Sequence, residues 1–116
     1  MSQRARIEHE PIPQGTLDMI ILKVVGRADE ELHGFQIANA IEQGSREVLR
    51  VEEGSLYPAL QRMLARGWLV GEWGRTSDNR RARYYRITAA GRRQLARELA
   101  AYERVTQAIA LILQPA

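Results

Sequence analysis

The 116-residue chain has no cysteine, a single phenylalanine, and a single lysine, Lys23, among its 17 basic residues. Without cysteine there is no disulfide framework, no thiolate zinc site and no cysteine nucleophile. No uninterrupted apolar run approaches the ~18 residues that a membrane span requires, and the N-terminus lacks the apolar core of a secretory signal. A soluble, cytoplasmic protein with no membrane partner is therefore expected. His9 and His33 have no Asp or Glu at ligand spacing around them, and no nucleophile and base motif or glycine-rich phosphate loop occurs. Neither a metal, a cofactor nor an enzymatic activity is expected.

What is present is a local concentration of arginine. The formal net charge is only +3, but between Arg62 and Arg86 seven arginines (62, 66, 75, 80, 81, 83 and 86) face two acids, Glu72 and Asp78, a local excess of +5. The positive field is thus confined to one stretch, and the rest of the chain is slightly acidic. Arginine suits bidentate contact with phosphate or guanine, although a GC-rich genome gives the same preference over lysine. Both readings stand at this point.

The length corresponds to about one domain, with a core small enough that self-association would help to cover the remaining apolar surface. Residues 1–14, with Arg4, Arg6, Pro11 and Pro13, have no periodicity. They read as a mobile arm that either reaches into a minor groove or does nothing specific. A first helix is predicted from Thr16 to Arg27, with Leu17, Ile20, Ile21, Val24 and Val25 buried and Met19 and Leu22 widening its apolar stripe toward a second surface. His33-Gly34 opens a second helix with Phe35, Ile37, Ala38 and Ile41 as core candidates, which Gly44 ends. Val48 to Val51 is a candidate strand beside the wing.

A third helix begins near Glu53 to Ser55, on the argument that Pro58 belongs in a first turn, and Gly67 stops it. Its Leu56, Leu60, Met63 and Leu64 form one apolar stripe and leave Tyr57, Gln61 and Arg62 outside. The period then changes to that of a strand at Trp68-Leu69-Val70, passes the polar turn Thr76-Ser77-Asp78-Asn79 and resumes at Arg83-Tyr84-Tyr85-Arg86-Ile87. Helix followed by an arginine-tipped hairpin is the order of parts in a winged-helix DNA reader. Trp68 and Trp73 fall on opposite strand faces by parity, unless a bulge at Gly71 or Gly74 intervenes.

Thr88 is a predicted N-cap, its hydroxyl serving the amide of Ala90 or Gly91. The last helix then carries Leu95, Leu99, Tyr102, Val105, Ile109 and Ile112 at near-heptad spacing. It either pairs with a second subunit, Leu17 joining the interface, or folds back on the first helix of its own chain. The predicted fold is α+β, mainly α: a winged helix-turn-helix over 15–88, with a wing of two to three strands, and a long C-terminal dimerisation helix over 89–116.

In a helix-turn-helix the recognition helix presents its N-terminal residues to base edges. Ser55, Tyr57, Gln61 and Arg62 are the candidates here: Gln61 for adenine, Arg62 for guanine, and the two hydroxyls for phosphate. Arg80, Arg81 and Arg83 flank the wing turn and are assigned to phosphate. A protein-interaction module, with the basic wing and an exposed tryptophan docking an acidic partner, is the alternative.

Four separated motifs carry a resemblance: Gly15-Thr16-Leu17-Asp18, His33-Gly34-Phe35-Gln36-Ile37, Gly54-Ser55-Leu56-Tyr57-Pro58-Ala59-Leu60, and Arg83-Tyr84-Tyr85-Arg86-Ile87-Thr88 with Gly91. In this order they resemble the PadR family of bacterial transcriptional regulators over about residues 14 to 113, and more narrowly a subgroup whose genes often accompany predicted permeases. The resemblance implies a winged-helix homodimer on double-stranded DNA carrying an inverted repeat, acting as a repressor that releases DNA when a hydrophobic or aromatic small-molecule effector binds. It adds Gln36 to the DNA-binding set. It also implies effector contacts near the dimer interface from aromatic residues of the last helix, where Tyr102 lies; Trp68 and Trp73 are separate candidates for stacking on a ligand. The chain departs from the family pattern at Ser55, where threonine is common, and at Met63-Leu64, where Leu-Glu is common.

Overall fold

A computed structural model describes residues 8–13 and 15–115. The order of elements is α1 (Leu17–Arg27), β1 (Leu32–His33), α2 (Gly34–Gly44), α3 (Glu53–Ala65), β2 (Leu69–Arg75), β3 (Arg81–Ile87) and α4 (Ala89–Leu113). The three strands form one antiparallel sheet in the order β1-β3-β2.

The core lies where α1 meets α2, α3, α4 and β3. Ile21, Leu22, Ile37, Leu56, Leu60, Met63 and Leu69 are its largest fully buried side chains, each worth about 1.5–3 kcal/mol in removal from water. In α1 the buried set is Met19, Ile21, Leu22, Val24 and Val25. Leu17 and Ile20, expected inside, are half-buried instead. The wide apolar stripe reflects a helix that is packed on several sides at once.

Local chemistry sets the boundaries. His33 caps α2: its ring Nδ1 accepts from the Gln36 amide at 3.4 Å, and the Gln36 side chain accepts from the His33 amide at 3.0 Å. At the far end of α3, Gly67 takes φ +75°. There the Gly67 amide donates to Leu64 at 3.1 Å and the Trp68 amide to Met63 at 2.9 Å, the paired bonds of a Schellman stop. Thr88 caps α4, as expected, by accepting from Gly91 N–H at 3.0 Å.

Four expectations are corrected. The third strand is Leu32–His33, paired with Tyr85 and Tyr84 of β3. Val48–Val51 does not join this sheet; Leu49 instead forms an isolated parallel bridge with Glu10, where the Glu10 amide donates to Val48 at 2.8 Å. That contact also docks part of the proposed arm, with Ile12 half-buried against the core, whereas residues 1–7 and 14 lie outside the described residues. Phe35 is 74% exposed rather than core. Ile37 and Ile41, four residues apart, fix the buried face of α2, and Phe35, two residues before Ile37, is turned about 200° away at ~100° per residue. Pro58 lies beyond the first turn of α3, inside the helix. The carbonyl four residues back belongs to Gly54, which is exposed and can be solvated, so the missing hydrogen bond leaves no buried orphan.

The base of the wing and the start of α4 form one joint. The Thr88 hydroxyl donates toward the carbonyls of Gly67 at 2.6 Å and Trp68 at 3.1 Å, and the Thr88 amide donates to Trp68 O at 3.0 Å. Gly91 is required there: a Cβ would stand 2.2 Å from the Trp68 carbonyl oxygen and 2.8 Å from Ile87. Thr88→Ala is expected to lower unfolding stability by about 1–2 kcal/mol through loss of the cap. Gly91→Ala should cost at least as much, because the obstructing atom is backbone that cannot rotate aside. Urea denaturation of both variants checks this; a Gly91→Ala protein as stable as wild type would contradict the close approach.

Candidate nucleic-acid interface

The inner face of α3 buries Leu56, Ala59, Leu60 and Met63; away from it Tyr57, Pro58 and Gln61 are exposed on one side and Ser55 on the other flank. In the hairpin, Leu69 pairs with Ile87 and every following pair stays in step to Arg75 with Arg81, so there is no bulge. Leu69, Gly71, Trp73 and Arg75 consequently share a face with Ile87, Tyr85, Arg83 and Arg81. At the base this face is core; further out it continues past the core edge and looks toward α3.

The result is one groove of about 410 Å³ between helix and wing, whose walls include Tyr57 and Gln61 on one side and Arg80, Arg81 and Arg83 on the other. The structure thus brings five of the predicted DNA contacts together. Ser55 is exposed two residues before Tyr57, about 200° round α3 from it, and does not line the groove. The Tyr57 ring lies over Gly34, where a Cβ would come within 2.6 Å of the phenolic oxygen. Glycine at position 34 therefore lets α3 sit close to α2 with the tyrosine at the groove. Tyr85 forms part of the floor, and burial, opposed by the nearby Arg83 charge and reinforced by Tyr57, raises the pKa of its hydroxyl. It is a neutral group at physiological pH.

The wing tip is preformed. The Thr76 amide donates to Arg80 O at 2.8 Å, the Asn79 amide to Thr76 O at 2.9 Å, and Asn79 adopts φ 63°. Thr76 also donates its hydroxyl to the Asp78 carboxylate, and this hydrogen bond, chiefly, holds the Asp78 pKa below its usual value. Arg80 and Asp78 approach to 3.7 Å but are both strongly exposed, an arrangement worth little in water. Arg80 is therefore available to a phosphate.

Not every arginine of the basic stretch faces this groove. Arg86 reaches back to Glu31 at 3.4 Å, and Arg66 covers the Trp68 ring at 5.1 Å. Arg62, also predicted to address bases, is exposed but does not line this groove: its guanidinium bonds Asp18 of α1 at 2.7 Å. It lies in the last turn of α3, tied to the scaffold, rather than beside Tyr57 at the reading end. The predicted effector set is not brought together either. Trp68 packs half-buried against the core, and Trp73 lies on the wing. Tyr102 lines a separate shallow groove of about 270 Å³ with Met19, Glu98 and Val105. Gln36 is exposed, but its carbonyl oxygen is used in the α2 cap.

Sequence reasoning missed Phe35, which borders the groove beside His33, and Thr76, which organises the wing tip. Phe35 carried a signal in its spacing from Ile37 and Ile41. Thr76 carried none beyond its place in a polar turn. On the other side of the wing lies an acidic cleft of about 630 Å³ bordered by Asp29, Glu30, Glu31 and Glu72 as well as Arg86 and Arg92. The positive field is therefore one-sided.

A helix-turn-helix leading into a hairpin with one basic face is the architecture of a winged-helix transcriptional regulator. The model of the transcriptional regulator PadR-like family matches residues 21–97, and the chain belongs to that family. It is 40% identical over 82 residues to the transcriptional regulator Rv3488 of Mycobacterium tuberculosis, covering 71% of this chain and 73% of the relative. A transcriptional regulator from Clostridium thermocellum superposes with a TM-score of 0.77 at 25% identity, covering 87% of this chain and 96% of that one. A PadR-like transcriptional regulator from Bacillus cereus gives 0.73 at 27% identity, covering 89% and 96%. The family is one of regulators, not enzymes.

Arg62→Ala should lower stability by no more than about 1 kcal/mol, the range of an exposed ion pair, and leave base preference intact. A calorimetric melt and binding to single-base variants of a target duplex test this. Loss of discrimination at one base pair by about 1–3 kcal/mol would return Arg62 to the reading set.

Proposed function

We propose that the protein is a homodimeric repressor that binds double-stranded DNA at an inverted repeat and is released by a small hydrophobic or aromatic effector. The observation that carries the DNA-binding part is the groove itself: the outer face of α3 and the arginines of the wing line one surface. In this reading Gln61 reads a base edge, Ser55 and Tyr57 bond phosphate or base, and Arg80, Arg81 and Arg83 neutralise phosphates. Phe35 supplies an apolar contact to a sugar or thymine methyl.

Dimerisation rests on α4. Its first half is satisfied within the chain, since Leu95 packs on the core and Leu99 borders a groove with Met19 and Ile20 of α1. Fold-back on α1 thus accounts for Leu95 and Leu99, and Leu17 is likewise half-buried in its own chain. Tyr102, Val105, Ile109 and Ile112 are exposed, as are Leu111 and Leu113. A helical stripe of this length favours a second copy as its cover. Two protomers related by a two-fold axis would meet a DNA repeat of the same symmetry. For the effector the support is narrower: Tyr102 sits where the α1 and α4 surfaces meet, beside that stripe.

Val105→Glu combined with Ile109→Glu is expected to give a folded monomer by analytical ultracentrifugation; an unaltered sedimentation coefficient would place the interface elsewhere. DNA binding is tested by fluorescence anisotropy, comparing a duplex from the protein's own upstream region with random duplex over a salt series. Selective binding with two protomers per site is expected. Arg81→Ala should weaken binding to both duplexes and reduce the salt slope by about one unit. Absence of sequence selectivity at every salt concentration would favour the protein-interaction module.

A further inference from the structure

Trp73 is 59% exposed on the wing, and a large apolar ring in that position needs a reason. Its neighbours provide one. The Arg81 guanidinium carbon lies 4.3 Å from the indole centroid and that of Arg83 lies 5.7 Å from it. Arg83 is the direct cross-strand partner of Trp73, and Arg81 is the diagonal one. Both distances fall within the ~6 Å over which a guanidinium is held by an aromatic face.

Gly71 supplies the second half of the arrangement. A Cβ there would stand 2.7 Å from Arg83 Nε and 3.3 Å from its Cδ and Cγ. The arginine stem therefore lies flat on bare β2 backbone. In that position Arg83 Nε is buried without a hydrogen-bond partner. The contacts of the stem with Gly71 and of the guanidinium with the Trp73 ring hold it in place. The groove that these arginines line with Tyr57 and Gln61 is the one assigned to DNA above.

We propose that Trp73 is a positioning residue for DNA binding: together with the gap at Gly71 it holds Arg81 and Arg83 over the groove before DNA arrives. An arginine free in solvent loses its rotamer freedom when it meets a phosphate, and one already stacked loses less. Trp73 thereby acts through the two arginines rather than on an effector. The inference rests on the DNA-binding reading of the groove.

The test uses the full-length protein with random duplex and with the upstream duplex, by anisotropy across a salt series. Trp73→Ala is expected to weaken binding to both by about three- to thirty-fold, the effect of loosening two guanidiniums. The salt slope should stay at its wild-type value, because no charge is removed. Trp73→Phe, which keeps an aromatic face, should recover most of the affinity. Gly71→Ala should also weaken binding to both duplexes several-fold by pushing the Arg83 stem aside. Wild-type or tighter binding by Trp73→Ala overturns the proposal, and so does a loss confined to the upstream duplex, which would make the indole itself a reader. Wild-type affinity in Gly71→Ala would overturn the role of the gap. Failure of the wild-type protein to bind either duplex would instead overturn the reading of the groove on which the proposal rests.

Discussion

The fold depends on the burial of α1 among everything else. Ile21 and Leu22 are fully inaccessible, and the helix that carries them touches α2, α3, β3 and α4. An element packed on several sides fixes the mutual orientation of its neighbours, because each must fill its share of one close-packed interior. The third helix also packs directly on β2, to which the turn at Gly67 and Trp68 joins it, so helix and wing share a groove. Leu60 and Met63 from one, and Leu69 and Tyr85 from the other, belong to the same core cluster.

The groove proposed for DNA is an extension of that core beyond its own edge. Strand alternation carries the inner face of the sheet outward from Leu69 and Ile87 to Trp73, Arg81 and Arg83. Nothing changes in the backbone pattern along the way; the side chains change from aliphatic to cationic where the covering helix ends. The outer face of the same hairpin borders acidic residues. A modest net charge of +3 is thus compatible with a strongly directional field, because the two signs are separated by the thickness of one sheet.

Much of this could be read from the chain. The period of Leu56, Leu60 and Met63, the stop at Gly67 and the cap at Thr88 are local signals, set by contacts within a few residues, and each appears where it was expected. What could not be read depends on distant partners or on very short elements. The ion pair between Arg62 and Asp18 joins residues 44 apart, and no local pattern announces it. Leu32–His33 is too short to show a period, and its strand character comes from β3 alongside it. Phe35 differs for another reason: its hydrophobicity points to the core, but helical phase turns it away from Ile37 and Ile41. In the candidate site, the residue types were legible but their grouping was not, and Trp73 acquires a role only once its register with Arg83 is known.

The joint at Thr88 and Gly91 has a geometric consequence for the far end of α4. It seats the 25-residue helix α4 directly on the backbone at the base of the wing, and at 1.5 Å per residue that helix is about 37 Å long. A rotation of only about 5° at its root would move its far end by roughly 3 Å over such a length. In the dimer proposed above, bound to half-sites about 34–36 Å apart, a displacement of that size in each protomer would be felt as a misfit between protein and helical repeat. A glycine that admits no side chain and a threonine hydroxyl shared between two carbonyls thus set the direction in which α4 leaves the wing.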